Sequence, residues 1–238
     1  MQPPRIGALR VRAASGADER DGPAILLCHG FGAPGDDLVS LARVVDAGRD
    51  VRWFFPEAPI ALDLGWGMTG RAWWDIDIER MQRLLLTGQA HRLAEETPPG
   101  LAEARAALEA TIAALEQDHG VRRDRLIIGG FSQGAMLATE VALHAPPAAP
   151  FAGLAILSGT LISADRWAEA ARAVGPTIHA LQTHGRRDPL LPFAAAESLR
   201  ALLEGAGAEV EWAPHGGAHE IPEGALDRLG RFARRRFA

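Results

Sequence analysis

The sequence predicts an α/β protein in which a mostly parallel central sheet is covered by helices on both faces. Two observations lead there. Short apolar, β-branched runs bounded by turn residues recur along the chain, and longer Ala/Leu/Glu/Arg stretches with helical spacing lie between several of them. Parallel strands need cover on both sides, so one doubly covered sheet accounts for most of the 238 residues, of which 47% are hydrophobic and 23% charged. No domain-separating linker, internal repeat or low-complexity segment interrupts the pattern, so residues 1–238 read as one domain.

Taken in order, strands are expected near Ile6–Val11, Ala24–Cys28 and Val51–Phe55. The stretch from Pro56 to Gly100 is the most irregular, with four prolines, five glycines and three of the six tryptophans. An insertion of this length is functional or disordered. The tryptophans argue that residues 56–100 are packed, as a short cap over one end of the sheet. A helix over Leu101–Gln117 follows from Leu101, Leu108, Ile112 and Leu115, which share one stripe. Beyond it come a strand at Arg125–Gly129, a helix at Gln133–Leu143, and strands at Gly153–Leu157 and Ile178–Thr183. A helix at Ala194–Glu204, a strand at Ala208–Trp212 and a last helix at Glu223–Phe237 complete the series.

Composition excludes several classes of function. A formal charge of -5 disfavours nucleic acid, whose phosphates call for a net basic footprint. The chain has no Lys and no Asn, so its 25 basic residues are all Arg and no N-glycosylation sequence exists. Cys28 is the sole cysteine, which removes disulfide and thiolate-metal frameworks and fits a reducing cytoplasm. The N-terminus lacks an apolar signal core, and no run of about 18 apolar residues occurs, so a soluble, unexported protein without an integral membrane segment is expected. No H-E-x-x-H or comparable metal-ligand spacing appears, and neither a metal nor a cofactor is expected. Oligomeric state is not legible; a homodimer stays open.

Gly130-Phe131-Ser132-Gln133-Gly134 fits the G-x-S-x-G nucleophile elbow. Its context is apt, because the apolar run RLIIGG leads into Ser132 and the helix-like MLATEVAL leads out. So sharp a turn leaves no room for a Cβ at either flanking glycine, and it sets the serine at a helix N-terminus where free N–H groups favour an anion. The plain alternative is Ser132 as a helix N-cap. A serine hydroxyl needs a base to take its proton. Of the eight histidines, His219 fits best, in the loop PHGGAHEIP before the last helix, and His215 in the same loop is the runner-up. The acid that orients the base should lie between the two at the end of a strand. Asp188 in THGRRDPLLP satisfies this; its alternative is an Asp-Pro turn former. Two main-chain donors should face the developing oxyanion: the N–H of Gln133 and, from the loop after Ala24–Cys28, the N–H of Phe31.

With these residues assembled, the chain resembles the phospholipase/carboxylesterase family of α/β-hydrolases, which includes bacterial carboxylesterases and acyl-protein thioesterases. The resemblance rests on LLCHGFGAPGDDL, RAWWDI, LIIGGFSQGAMLA, LAILSGTL, THGRRDPLLP and GGAHEIP, in the family's order over nearly the whole chain. It implies an α/β-hydrolase fold and a cofactor-free serine hydrolase acting on carboxylic esters or thioesters of acyl chains. Ser132, Asp188 and His219 would form the triad, with Phe31 and Gln133 as oxyanion donors. The departures are Ala33-Pro34 after the HGFG turn and the stretch from Pro56 to Gly100, which the resemblance would set over the acyl pocket.

Trp66, Met68, Trp73, Trp74 and Leu84–Leu86 make that stretch apolar enough to line a substrate slot, or else a small satellite core under a long loop. The leading expectation is a carboxylesterase or lysophospholipase-like serine hydrolase cleaving small acyl esters through an acyl-enzyme. Acyl-protein or acyl-carrier thioesterase and a non-catalytic binding module on the same fold are the alternatives. With histidine as the base, kcat/KM should rise with pH through the ordinary histidine range.

Overall fold

A computed structural model describes residues 2–15 and 22–238. The chain begins with β1 (Arg5–Ile6), β2 (Leu9–Ser15) and β3 (Ala24–Cys28), followed by the single-turn α1 (Leu41–Val44) and β4 (Arg52–Glu57). A two-stranded ribbon of β5 (Ile60–Asp63) and β6 (Thr69–Ala72) comes next, then the short helices α2 (Ile78–Leu86) and α3 (His91–Glu95). The remainder alternates: α4 (Leu101–His119), β7 (Leu126–Phe131), α5 (Gln133–Leu143), β8 (Gly153–Leu157), α6 (Ala164–Val174), β9 (His179–Gly185), α7 (Phe193–Gly205), β10 (Glu209–His215) and α8 (Glu223–Phe237).

Eight strands form one sheet in the order β1-β2-β4-β3-β7-β8-β9-β10. The six from β4 to β10 run parallel, and β2 joins antiparallel through Arg10 opposite Glu57 to Ser15 opposite Arg52. Strand β3 is buried at every position. Its alternation feeds two cores: Leu26 and Cys28 meet Leu101, Leu108 and Ile112 of α4 together with α5, whereas Ile25 and Leu27 meet Leu229 and Phe232 of α8. This is the mostly parallel, doubly covered sheet that the sequence predicts.

Two sequence expectations need correction. The run Ile6–Val11 is not one strand, because Gly7 turns with a φ of 58° and makes a hairpin of β1 and β2. A Cβ there would stand 2.5 Å from the carbonyl oxygen of Ala110 on α4, so only glycine allows the contact. Pro56 and Glu57 belong to β4, so the irregular stretch starts at residue 58. Pro56 is tolerated because β4 pairs with β3 only as far as Phe54. Helices α1, α2, α3 and α6 lie outside the four that helical spacing predicts; three of them have nine residues or fewer.

Behind the sheet's centre, α4, α5 and α6 are joined at the fully buried carboxylate of Glu140. It accepts from Trp167 Nε1 at 2.6 Å, Arg166 Nη2 at 3.4 Å and Arg105 Nη1 at 3.5 Å. Glu140→Ala strips three donors of their partner inside a packed interface. The expected cost is about 3 kcal/mol. Calorimetry should read this as a fall of roughly 6–12 °C in Tm at 2–4 °C per kcal/mol for a chain of this size. A fall below about 1 °C would show that the junction carries no stability.

Candidate active site

The elbow sits where β7 ends and α5 begins. Ser132 has φ 55° and ψ -120°, a conformation that L residues rarely adopt. It is held by its own N–H donating to Leu157 O at 2.9 Å, while its carbonyl accepts from Ala135 and Met136 and opens the helix. The flanking glycines are steric necessities. A Cβ on Gly130 would lie 2.4 Å from the carbonyl oxygen of Cys28, and one on Gly134 would lie 2.1 Å from the same atom. The turn is therefore jammed against the end of β3, which is what lifts the serine to the sheet's rim.

The imidazole and the carboxylate come from neighbouring strand ends. His219 Nδ1 is 2.7 Å from Asp188 Oδ2, and a carboxylate can only accept, so the proton sits on Nδ1 and Nε2 is left as the acceptor nitrogen. Oδ1 of Asp188 accepts from the N–H groups of Leu190 and Leu191, both at 2.9 Å. The Asp188 side chain is fully buried. Burial works to raise its proton affinity, but the hydrogen bond from His219 and the N–H groups of Leu191 and Leu190 together outweigh it and hold the carboxyl below the usual carboxylate range. The two loops are zipped together: Arg186 N–H donates to His215 O at 2.8 Å, and Arg187 N–H to Gly217 O at 3.0 Å. A Cβ on Gly185 would stand 2.0 Å from Ala218 O, so the acid loop passes directly under the histidine loop.

Ser132 and His219 line one cavity of about 530 Å³, with Gly30, Phe31, Gln133 and Leu190. His219 also packs on Phe131, with ring centroids 4.7 Å apart. The N–H groups of Phe31 and Gln133 have no hydrogen-bond partner among the described residues, as free donors facing a ligand would. The Gln133 side chain has another task. Its Oε1 accepts from Trp73 N–H at 3.0 Å, and its Nε2 donates to Trp74 O at 2.9 Å. Trp73 Nε1 in turn donates to His29 O at 2.8 Å. One indole and one amide thus tie the elbow to the loop that carries Phe31. Strand β6 adds a further tie, Gly32 N–H to Arg71 O at 2.8 Å.

The tryptophans expected to line a slot are placed differently. Trp66 is 99% exposed and Met68 57% exposed, on the turn between β5 and β6, and neither reaches the cavity. Trp73 is 1% exposed, within the core. Trp74 lines an adjoining cavity of about 350 Å³ with Asp75, whose side chain accepts from Ile76 N–H, and Asp77 caps α2. The two cavities share Ile76, Met81, Met136 and Leu191 as a common wall. His215, the alternative base, has Nδ1 accepting from Gly217 N–H at 3.2 Å and its Nε2 buried, away from the cavity's lining. Sequence reasoning passed over His184, whose Nε2 also stands 3.3 Å from Asp188 Oδ2; a histidine four residues before the acid, at a strand's end, was the available signal.

Burial lowers the proton affinity of three histidines, His29, His184 and His215. The unfolded chain takes up protons on them as pH drops through about 6.5, whereas the folded chain resists until lower pH. Stability therefore falls between pH 7 and 5. Asp37, whose proton affinity burial raises, works the other way as pH falls toward the carboxylate range. Asp188, held low, contributes stability above the ordinary carboxylate range and loses it as pH falls through its depressed value. Melting curves at pH 8, 7, 6 and 5 should show a declining Tm, and a rise from pH 7 to 5 would contradict the arrangement.

Comparison with known proteins places the chain among hydrolases. A family model described as phospholipase/carboxylesterase matches residues 12–235. Acyl-protein thioesterase 1 of Schizosaccharomyces pombe is 31% identical over 187 residues, covering 75% of this chain and 74% of that protein. Among solved structures, esterase PE8 superposes with a TM-score of 0.78 at 24% identity over 95% of this chain and 98% of that one. The Bacillus cereus carboxylesterase gives 0.70 at 19% identity over 96% and 95%. At these identities the two structural likenesses speak to the fold.

Proposed function

Because the chain belongs to the phospholipase/carboxylesterase family, a group of α/β-hydrolases, we propose that it cleaves acyl esters through a triad of Ser132, His219 and Asp188. The observation that carries this is the 2.7 Å pairing of His219 with a buried, ionised Asp188 on the cavity that Ser132 also lines. Ser132 Oγ attacks the acyl carbonyl as His219 Nε2 takes its proton, and Asp188 stabilises the resulting imidazolium. The carbonyl oxygen, now anionic, accepts from the N–H groups of Phe31 and Gln133, each worth about 3–4 kcal/mol in the transition state. Collapse breaks the ester bond, and His219 returns the proton to the departing alcohol. Water then attacks the acyl-enzyme with His219 again as base, releasing the acid and restoring Ser132.

The apolar wall of Ile76, Met81, Met136 and Leu191 suits the acyl part of the substrate, and Trp74 bounds the space beyond it. Residues 1–238 act as one domain, with the β5–β6 ribbon, α2 and α3 as its cap. Among the described residues no helix is long and apolar enough to cross a membrane, and the lone, buried Cys28 suits a cytoplasmic setting. The thioesterase names of the relatives favour thioesters as a second substrate class. Rates on matched p-nitrophenyl esters and acyl thioesters, with a serine-directed phosphonate as label, test the reading. Turnover with the label on Ser132 is expected; neither turnover nor label would leave a non-catalytic binding module.

A further inference from the structure

His184 is the penultimate residue of β9 and its side chain is fully buried. Its Nε2 lies 2.9 Å from Leu191 O and 3.3 Å from Asp188 Oδ2, the oxygen that also receives His219. A main-chain carbonyl and an ionised carboxylate both accept, so Nε2 carries the proton and shares it between them. Nδ1 then holds the lone pair. It is buried without a hydrogen-bond partner among the described residues, and a proton placed there would be an unpaired buried N–H.

The surroundings support a neutral ring. Burial is the largest influence against protonation; Leu191 O and Asp188 pull the other way, and His219 and His215 add to the burial effect. The Phe193 ring of α7 stands 6.1 Å away, and the guanidinium of Arg186 lies over that ring. Glu220 faces His215.

Resting on the triad reading above, we propose that His184 is a positioning residue of the reaction: a neutral Nε2–H donor that fixes Asp188 Oδ2 and Leu191 O so that the carboxylate presents a defined lone pair to His219. Leu191 is tied from both sides, its N–H donating to Asp188 Oδ1 and its carbonyl accepting from His184. The imidazole thus closes a ring of hydrogen bonds around the acid. It also draws charge from Oδ2, so that removing it leaves more of the carboxylate's negative charge facing His219 and favours the imidazolium.

The test compares His184→Phe, which keeps a ring without the donor, and His184→Gln, whose amide N–H₂ can take the place of Nε2–H. Both are measured beside Ser132→Ala on a p-nitrophenyl ester, from pH 5 to 9. His184→Phe should lose about 10–100-fold in kcat with KM within about threefold, the range for removing a partner behind a functional ligand. Its acid limb of kcat/KM should move up by roughly half a pH unit. His184→Gln should recover most of kcat and the wild-type limb. Wild-type behaviour of His184→Phe, or equal impairment of both variants with an unmoved limb, overturns the proposal. Should His184→Phe fail to fold, ¹⁵N NMR of the wild type decides, because His184 must show a protonated Nε2 and a bare Nδ1 at pH 8 and take up a second proton only below the ordinary histidine range. An Nδ1–H tautomer, or titration at or above that range, overturns it. Retained activity in Ser132→Ala would instead sink the triad reading, which keeps the two failures apart.

Discussion

Ser132→Ala is expected to lower kcat by about 10⁴–10⁶-fold with little change in Tm. The stability half of this expectation comes from the elbow itself. The positive φ at position 132 is imposed by Gly130 and Gly134 wedged against Cys28, and alanine carries the same Cβ as serine, so the substitution neither adds nor relieves strain. Only the hydroxyl is lost. What remains is the pair of free N–H groups at Phe31 and Gln133 and the cavity around them, enough for a small residual rate over water. Steady-state rates, with calorimetry on the same preparation, check both halves. A variant that keeps more than a tenth of the wild-type kcat would remove Ser132 from the chemistry.

Asp188→Asn should cost about 10⁴-fold in kcat, although it changes no shape. Oδ1 is committed to two main-chain N–H groups, so an asparagine would keep its carbonyl oxygen there and turn its NH₂ to where Oδ2 was. That position already faces two N–H donors, from His219 and His184. Donor would meet donor. His219 could escape by moving its proton to Nε2, but it would then present N–H rather than a lone pair to Ser132 and could not act as base. The opposite amide orientation satisfies His219 and strands the N–H groups of Leu190 and Leu191. A variant within tenfold of wild type would mean that Asp188 does not orient the base.

The strands were legible because parallel ones are buried on both faces and read as unbroken apolar runs, as Ala24–Cys28 does. Their ends were less so: β7 extends to Phe131, β9 to Gly185 and β10 to His215, each two or three residues beyond the run that announces it. Those extra residues are the ones that approach the site, where pairing with a neighbour rather than hydrophobicity keeps the chain extended. The β5–β6 ribbon escaped notice altogether. Half of its eight residues are exposed, and neither IALD nor TGRA alternates apolar with polar side chains, so no sequence pattern marks it; main-chain contact between Arg71 and the loop of Gly32 and Ala33 holds it.

For the candidate site, Ser132, Asp188 and His219 were proposed because each follows a strand's carboxyl end, in the order that the proposed triad requires. Direction was the missing quantity for the tryptophans. Apolarity says that Trp66 and Trp73 prefer to leave water, but one projects outward from a turn and the other fills the core and donates to His29 O. Gln133 was read for its main chain alone, although its amide does as much by joining two distant segments at Trp73 and Trp74. Such ties depend on tertiary approach and leave no local mark.

Strand β10 pairs with β9 alone and forms the sheet's outer border. The imidazole of His219 hangs from the far end of that border, while Ser132 stands at the middle of the sheet. Under the proposed mechanism, peeling back one peripheral strand would therefore leave the hydroxyl in place and carry off its proton acceptor, a route to dormancy that spares the bulk of the architecture. Whatever braces that margin, including the Arg228 and Arg235 pairings with Glu211, would guard the proposed turnover as much as the fold.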